Sequence, residues 1–258
     1  MTTPAIQTQD LTRCYGDLTA VDQISMTIAS GEIFGFLGHN GAGKTTTISM
    51  LTTLLLPTSG SALVFGLDIV KQNLEVRQRI GYVPENVRLY NDLTVAENLR
   101  FLGELSGVRE IDSRIDEVLN LLGHPEWRTR KVGTFSKGMR QRVGIAQALL
   151  HKPAILFLDE PASGLDPEGQ RAIGSLIVQL NREFGITIFM NTHQLSEAAK
   201  LCTSIGIMNH GRLVIADTLQ NVITRFPDTP ALEDVYLRVG HQESANGRGP
   251  VLQGVNQP

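Results

Sequence analysis

Gly38-His39-Asn40-Gly41-Ala42-Gly43-Lys44-Thr45 decides the reading of this chain. It matches G-x-x-x-x-G-K-[ST], the P-loop pattern. The flanks supply the context the pattern requires. Glu32-Ile33-Phe34-Gly35-Phe36-Leu37 is an apolar run of buried-strand type. Thr46-Thr47-Ile48-Ser49-Met50-Leu51 places Ile48 and Leu51 at helical spacing. Strand, glycine loop and helix together make an anion site. The glycines let successive N–H groups turn inward as a nest, and the helix adds its positive N-terminal end. Lys44 is expected to reach the β- and γ-phosphates, and the Thr45 hydroxyl to ligate Mg²⁺.

Composition sets the frame. The 258 residues suffice for one large domain or a domain with a subdomain. Hydrophobic residues at 41% and charged ones at 19% give a globular chain with a substantial core. A net charge of -3 argues against a nucleic-acid partner. Cys14 and Cys202 lie far apart, which suits a reducing cytosol and makes neither a disulfide framework nor a metal pattern. Met1-Thr2-Thr3-Pro4-Ala5 carries no signal core, and no apolar run is long enough to span a membrane. Any work at a membrane is therefore expected to need a separate membrane chain.

Along the chain, Ala5–Gln9 and Ala20–Ile28 read as strands around a turn at Gly16-Asp17. The P-loop helix is expected to run to about Leu56 and stop at Pro57. Ser59-Gly60 reads as a turn, Ser61–Phe65 as a strand, Gln72–Arg79 as a helix and Ile80–Val83 as a strand. Thr94-Val95-Ala96-Glu97 is a capping box. The segments 98–105, 111–122 and 136–150 are helix-like and make an all-helical insert over about 94–150. Strand and helix then alternate: Ala154–Leu158, Pro167–Phe184, Ile186–Met190 and Gln194–Leu201. The strands Ser204–Met208 and Arg212–Ile215 follow, joined across Asn209-His210-Gly211. This alternation predicts an α/β core with a mostly parallel sheet. The polar stretch 241–258 reads as a disordered tail.

Further candidate residues appear in order. Tyr15 could stack on a base, or could be a half-buried turn tyrosine. Ser136-Lys137-Gly138-Met139 opens a helix whose capped N-terminus could hold a second anion, or could be a plain cap. Ile155–Leu158 ends in Asp159-Glu160, a Walker B arrangement: Asp159 is expected to hold Mg²⁺ and Glu160 to polarise the attacking water. Ser163-Gly164-Leu165-Asp166 follows at once. His193 ends the next strand, at the strand end that faces ligands in parallel sheets.

The order of these motifs resembles the ATP-binding subunits of ABC transporters, from about Ile6 to Arg238. The resemblance implies a P-loop NTPase fold over 1–240 with an N-terminal antiparallel β subdomain. It makes Tyr15 the adenine-stacking aromatic, and Gly38 to Thr45 with Thr46 the nucleotide loop. Glu85, in Gly81-Tyr82-Val83-Pro84-Glu85, becomes the Q-loop residue on the metal side, beside Thr45 and Asp159. Ser136 to Met139 becomes the signature, Ser163 to Asp166 the D-loop and His193 the switch histidine. Two departures stand out. Glu85 replaces the usual glutamine, and Lys137 and Met139 replace a glycine and a glutamine of the signature. Such variants resemble exporter-type ATPases encoded apart from their membrane subunit.

The implied mechanism is ATP hydrolysis with Mg²⁺. Two ATPase chains, identical or homologous, close head to tail over two ATP molecules and drive a separate transmembrane permease subunit. That places the chain on the cytoplasmic face of the membrane, with 85–90 near the permease. A soluble ABC ATPase of translation or chromosome repair fits less well, since one P-loop and no long heptad run are present. A P-loop kinase or GTPase leaves the signature and His193 without a role.

Overall fold

The computed structural model describes residues 3–226 and 231–238, together with the backbone of Leu252–Gln253. Its first sheet grows from a hairpin. Strands β1 (Ile6–Tyr15) and β2 (Leu18–Ile28) turn at Gly16, whose φ of 57 is left-handed. With β4 (Ser59–Val64) and β5 (Leu67–Asp68) they form an antiparallel sheet in the order β2-β1-β4-β5.

The second sheet carries the chemistry. It is built from β3 (Ile33–Leu37), β6 (Ile80–Val83), β7 (Ile155–Asp159), β8 (Thr187–Thr192), β9 (Ser204–Asn209), β10 (Arg212–Thr218) and β11 (Leu252–Gln253). Its order is β11-β10-β9-β3-β8-β7-β6. Every neighbouring pair is parallel except β9 with β10. Every residue of β3, β7 and β8 is buried, as expected for parallel strands covered on both faces.

Two cores follow from the two faces. Between the sheets, Phe36 and Phe157 flank Phe189, each with its ring centroid 5.3 Å from that of Phe189. All three are fully buried, each contributing roughly 1.5–3 kcal/mol. On the other face, Leu156, Leu158 and Met190 meet the helical insert and α6 (Pro167–Phe184). The insert comprises α3 (Val95–Leu105), α4 (Ile111–Leu121) and α5 (Lys137–Leu149). The capping box forms in full: Thr94 Oγ1 accepts the Glu97 N–H, and Glu97 Oε2 accepts the Thr94 N–H. Helix α5 is held at its far end by Arg114 of α4, which donates to the carbonyls of Leu149 and Leu150. Its middle is pinned where Val87 packs on Gly144; a Cβ there would lie 2.6 Å from Val87 Cγ2.

Two sequence expectations need correction, and one segment goes unread in the sequence. Helix α1 (Lys44–Leu51) ends well before Pro57, because Thr53 takes a left-handed φ of 62 and Leu54 N–H and Leu55 N–H both turn back to Ser49 O. Ser59 and Gly60 lie inside β4, where Ser59 pairs with Thr12. Beyond Thr218 the chain forms α8 (Leu219–Arg225), capped by Thr218, and a further helix over 232–238. The expected disorder of 241–258 falls outside the described residues apart from Leu252–Gln253, which pairs in parallel with β10.

Candidate functional site

The register of the parallel sheet gathers the site. Leu37 of β3 pairs with Thr192 of β8, Asn191 with Asp159 of β7, and Leu158 with Val83 of β6. The P-loop, His193, Asp159-Glu160 and Glu85 therefore leave the same edge, the C-terminal ends of the strands. Ligands of open α/β sheets bind there.

The P-loop joins β3 to α1. Gly43 is its tightest point: its φ is 103, and a Cβ would lie 2.3 Å from the Ala20 carbonyl oxygen of β2. Only glycine fits there, and the contact locks the first sheet against the loop. No side chain caps α1, so its first N–H groups are offered to a ligand. Lys44 is buried, and its Nζ donates to Gly38 O at 2.6 Å and His39 O at 3.0 Å. Burial pushes its ammonium below the usual lysine range, against the pull of Glu160 and Asp159. A desolvated cation facing two carboxylates suits the binding of a polyphosphate.

Asp159 is buried and receives the Asn191 side-chain amide. Burial holds its carboxyl above the usual range; Glu160 and Glu85 add to this, while Asn191 and Lys44 oppose it. Glu160 takes a left-handed φ of 48, and its N–H donates to Asn191 O. Its Oε2 lies 2.8 Å from His193 Nδ1. A carboxylate only accepts, so Nδ1 carries the proton of that bond. Glu85 Oε1 accepts the Ser163 hydroxyl at 3.0 Å. Thr45, Asp159 and Glu85 supply oxygen donors only, which suits a hard divalent cation. Among the described residues no three His, Cys, Asp or Glu side chains form a cage of their own. Mg²⁺ takes one or two carboxylates beside phosphate oxygens, so these residues fit it.

The signature stands apart. Ser136 caps α5 through the Met139 N–H, and Ser136, Lys137, Gly138 and Met139 line a cavity of about 370 Å³ with Gly164, Leu165 and Asp166. The structure thus brings the signature to the D-loop, which ends at Asp166, the cap of α6. Tyr15 ends β1, 46% exposed, with the Arg13 guanidinium 4.6 Å from its ring centroid. Asn191 is the residue that sequence reasoning missed. It binds Asp159 through its side chain and Glu160 through its carbonyl. Its one sequence signal is its place two residues before His193.

A family model described as ABC transporter matches residues 21–163. The chain belongs to the ABC transporter family. This ABC ATPase is 46% identical over 209 residues to the bacitracin transport ATP-binding protein BcrA of Bacillus licheniformis, covering 81% of the chain and 68% of that protein. It is 40% identical to the linearmycin resistance ATP-binding protein LnrL of Bacillus subtilis (strain 168), covering 85% and 71%. The solved structure of cbiO1 from Clostridium perfringens, part of the ABC transporter complex cbiONQ, matches with a TM-score of 0.79 at 30% identity, covering 94% of this chain and 99% of that one. A dimeric ATP-binding cassette in a post-hydrolysis state with ADP and Pi matches with a TM-score of 0.73 at 26% identity, covering 83% and 98%. The chain is an ATP-binding, ATP-hydrolysing domain of this family.

Proposed function

We propose that this chain powers transport through a separate transmembrane subunit by closing head to tail on a second ATPase chain. The observation that carries the catalytic reading is the Glu160–His193 pair at the mouth of the P-loop edge. Glu160 polarises the attacking water, and His193 bonds the γ-phosphate and orients that water. Lys44 and the N–H groups of Gly41 to Thr46 carry the β- and γ-phosphates, and Tyr15 stacks on the adenine. Thr45, Asp159 and Glu85 would hold Mg²⁺, which would supply neutralising charge at the β- and γ-phosphates. The signature, Ser136 to Met139, faces the other chain's nucleotide.

Residues 1–240 act as one ATPase domain with a helical subdomain over 94–150. Among the described residues no helix is long and apolar enough to cross a membrane. Docking at the cytoplasmic face is assigned to residues 85–90 together with the groove between α2 (Asn73–Arg79) and the insert, about 810 Å³ and lined by Leu74, Leu105, Val108, Arg114 and Leu150. Leu74 and Leu105 are 66% and 72% exposed there. Exposed apolar side chains in a groove suit a protein partner. Co-purification from membranes with identification of the companion chain tests this. Recovery of the chain with ribosomes or DNA, and no membrane protein, would overturn it.

A further inference from the structure

Ser163 and Glu85 lie 78 residues apart in sequence and meet through one hydrogen bond, Oγ to Oε1 at 3.0 Å. Both are partly buried. Ser163 sits in the turn that follows Glu160, its N–H donating to Glu160 O. Glu85 follows Pro84 at the end of β6 and lies close enough to Asp159 to act on its carboxyl. Oε1 is spent on the serine, and Oε2 has no hydrogen bond among the described residues. A carboxylate has two acceptor oxygens and can serve two partners at once.

We propose that Ser163 is a positioning residue for Glu85: its hydroxyl fixes Oε1, so that Oε2 is presented to the divalent cation bound with ATP. This rests on the reading that Glu85 serves the metal side. Carboxylates that ligate metals are themselves held by hydrogen bonds, and losing such a partner costs roughly 10–100-fold in metal affinity or activity. Phosphate oxygens would share such a cation, so the loss is expected near the low end, about tenfold. The same geometry explains why glutamate can stand at this position. A glutamine there would give its oxygen to the metal and its NH₂ to Ser163 Oγ, keeping both contacts.

The experiment uses Mn²⁺ as probe, because it accepts the same oxygen donors. The free Mn²⁺ signal in electron paramagnetic resonance gives the affinity of Mn²⁺ for the ATP-loaded full chain, in a Glu160→Gln background that slows hydrolysis. Fluorescent ATP without metal gives nucleotide affinity separately. Ser163→Ala is expected to weaken Mn²⁺ binding about tenfold with metal-free ATP affinity unchanged, and Ser163→Thr to restore it. Ser163→Ala combined with Glu85→Ala is expected to be no worse than Glu85→Ala alone. Wild-type Mn²⁺ affinity in Ser163→Ala, with Glu85→Ala weakened, would overturn the role of Ser163 while leaving that of Glu85. Wild-type affinity in Glu85→Ala would overturn the metal role of Glu85, and the proposal with it.

Discussion

Removing both members of the Glu160–His193 pair is expected to cost far less than the sum of removing each. A hydrogen bond to a charged group contributes about 1.5–3 kcal/mol. The His193 side chain is 49% exposed and that of Glu160 only 11%, so solvent holds this bond near the low end of that range. Losing the orientation of Glu160 alone then costs about tenfold in turnover, at 1.36 kcal/mol per tenfold. Loss of acid–base work raises each single effect to on the order of 10²-fold or more. Independent residues would multiply to about 10⁴-fold, or roughly 5.5 kcal/mol, whereas groups acting as one unit fall well short of that product. The assay is steady-state ATP hydrolysis of Glu160→Gln, His193→Ala and the double variant, with nucleotide affinity measured in parallel. Affinity is expected to survive, because Lys44 and the loop amides carry it. Strictly multiplicative losses, or one variant that hydrolyses ATP normally, would refute the pairing.

Lys44→Ala removes the buried cation facing the phosphates and is expected to abolish tight ATP binding in a titration with labelled nucleotide; unchanged affinity would remove Lys44 from that role. Glu160→Gln with ATP is expected to run as a dimer in light scattering and as a monomer without ATP; equal dimer in both would count against closure by nucleotide. Cys202 is buried and its thiol is pushed up to about 12 by burial and by Glu197, so a disulfide reagent at pH 8 is expected to titrate Cys14 in the native chain and Cys202 only after unfolding. Thr94→Ala removes the hydroxyl contacts of the capping box and is expected to lower Tm by about 2–4 °C at neutral pH. The Thr94 N–H and then the Thr94 hydroxyl hold the Glu97 carboxyl below the usual glutamate value of 4.5, and the variant loses the hydroxyl. The stabilisation is therefore complete above that value and fades as pH falls through the lower folded one. A Tm loss as large at pH 3 as at pH 7 would show that the carboxylate plays no part.

The site was legible where chemistry and local pattern coincide. The P-loop needs glycines beside a lysine, Walker B needs an apolar run ending in acids, and the capping box needs Thr94 and Glu97 three apart. Asn191 was not legible because its role comes from the β7–β8 register, which pairs it with Asp159 across 32 residues of sequence. The end of α1 was misplaced for a different reason. Pro57 is a strong stop signal, but the left-handed Thr53 ended the helix first, and threonine gives no warning of that conformation. The cap of α8 was present in Thr218 and overlooked, since the apolar positions after it are too few to show a period.

Helix α5 connects two places that the chain treats separately. Its first residue, Lys137, belongs to the signature, and its last turn is tied by Arg114 beside the groove assigned to the membrane partner. Thirteen helical residues span about 20 Å. Ser136 lies eight residues before Gly144, about 12 Å along the helix, so a tilt of about 5° about that point swings the Ser136 end by about 1 Å. That is enough to make or break a hydrogen bond. The helix is thus a lever with its fulcrum at Gly144, where Val87 bears on it. On the proposed head-to-tail arrangement, a push at that groove would reach the other chain's nucleotide through this one helix.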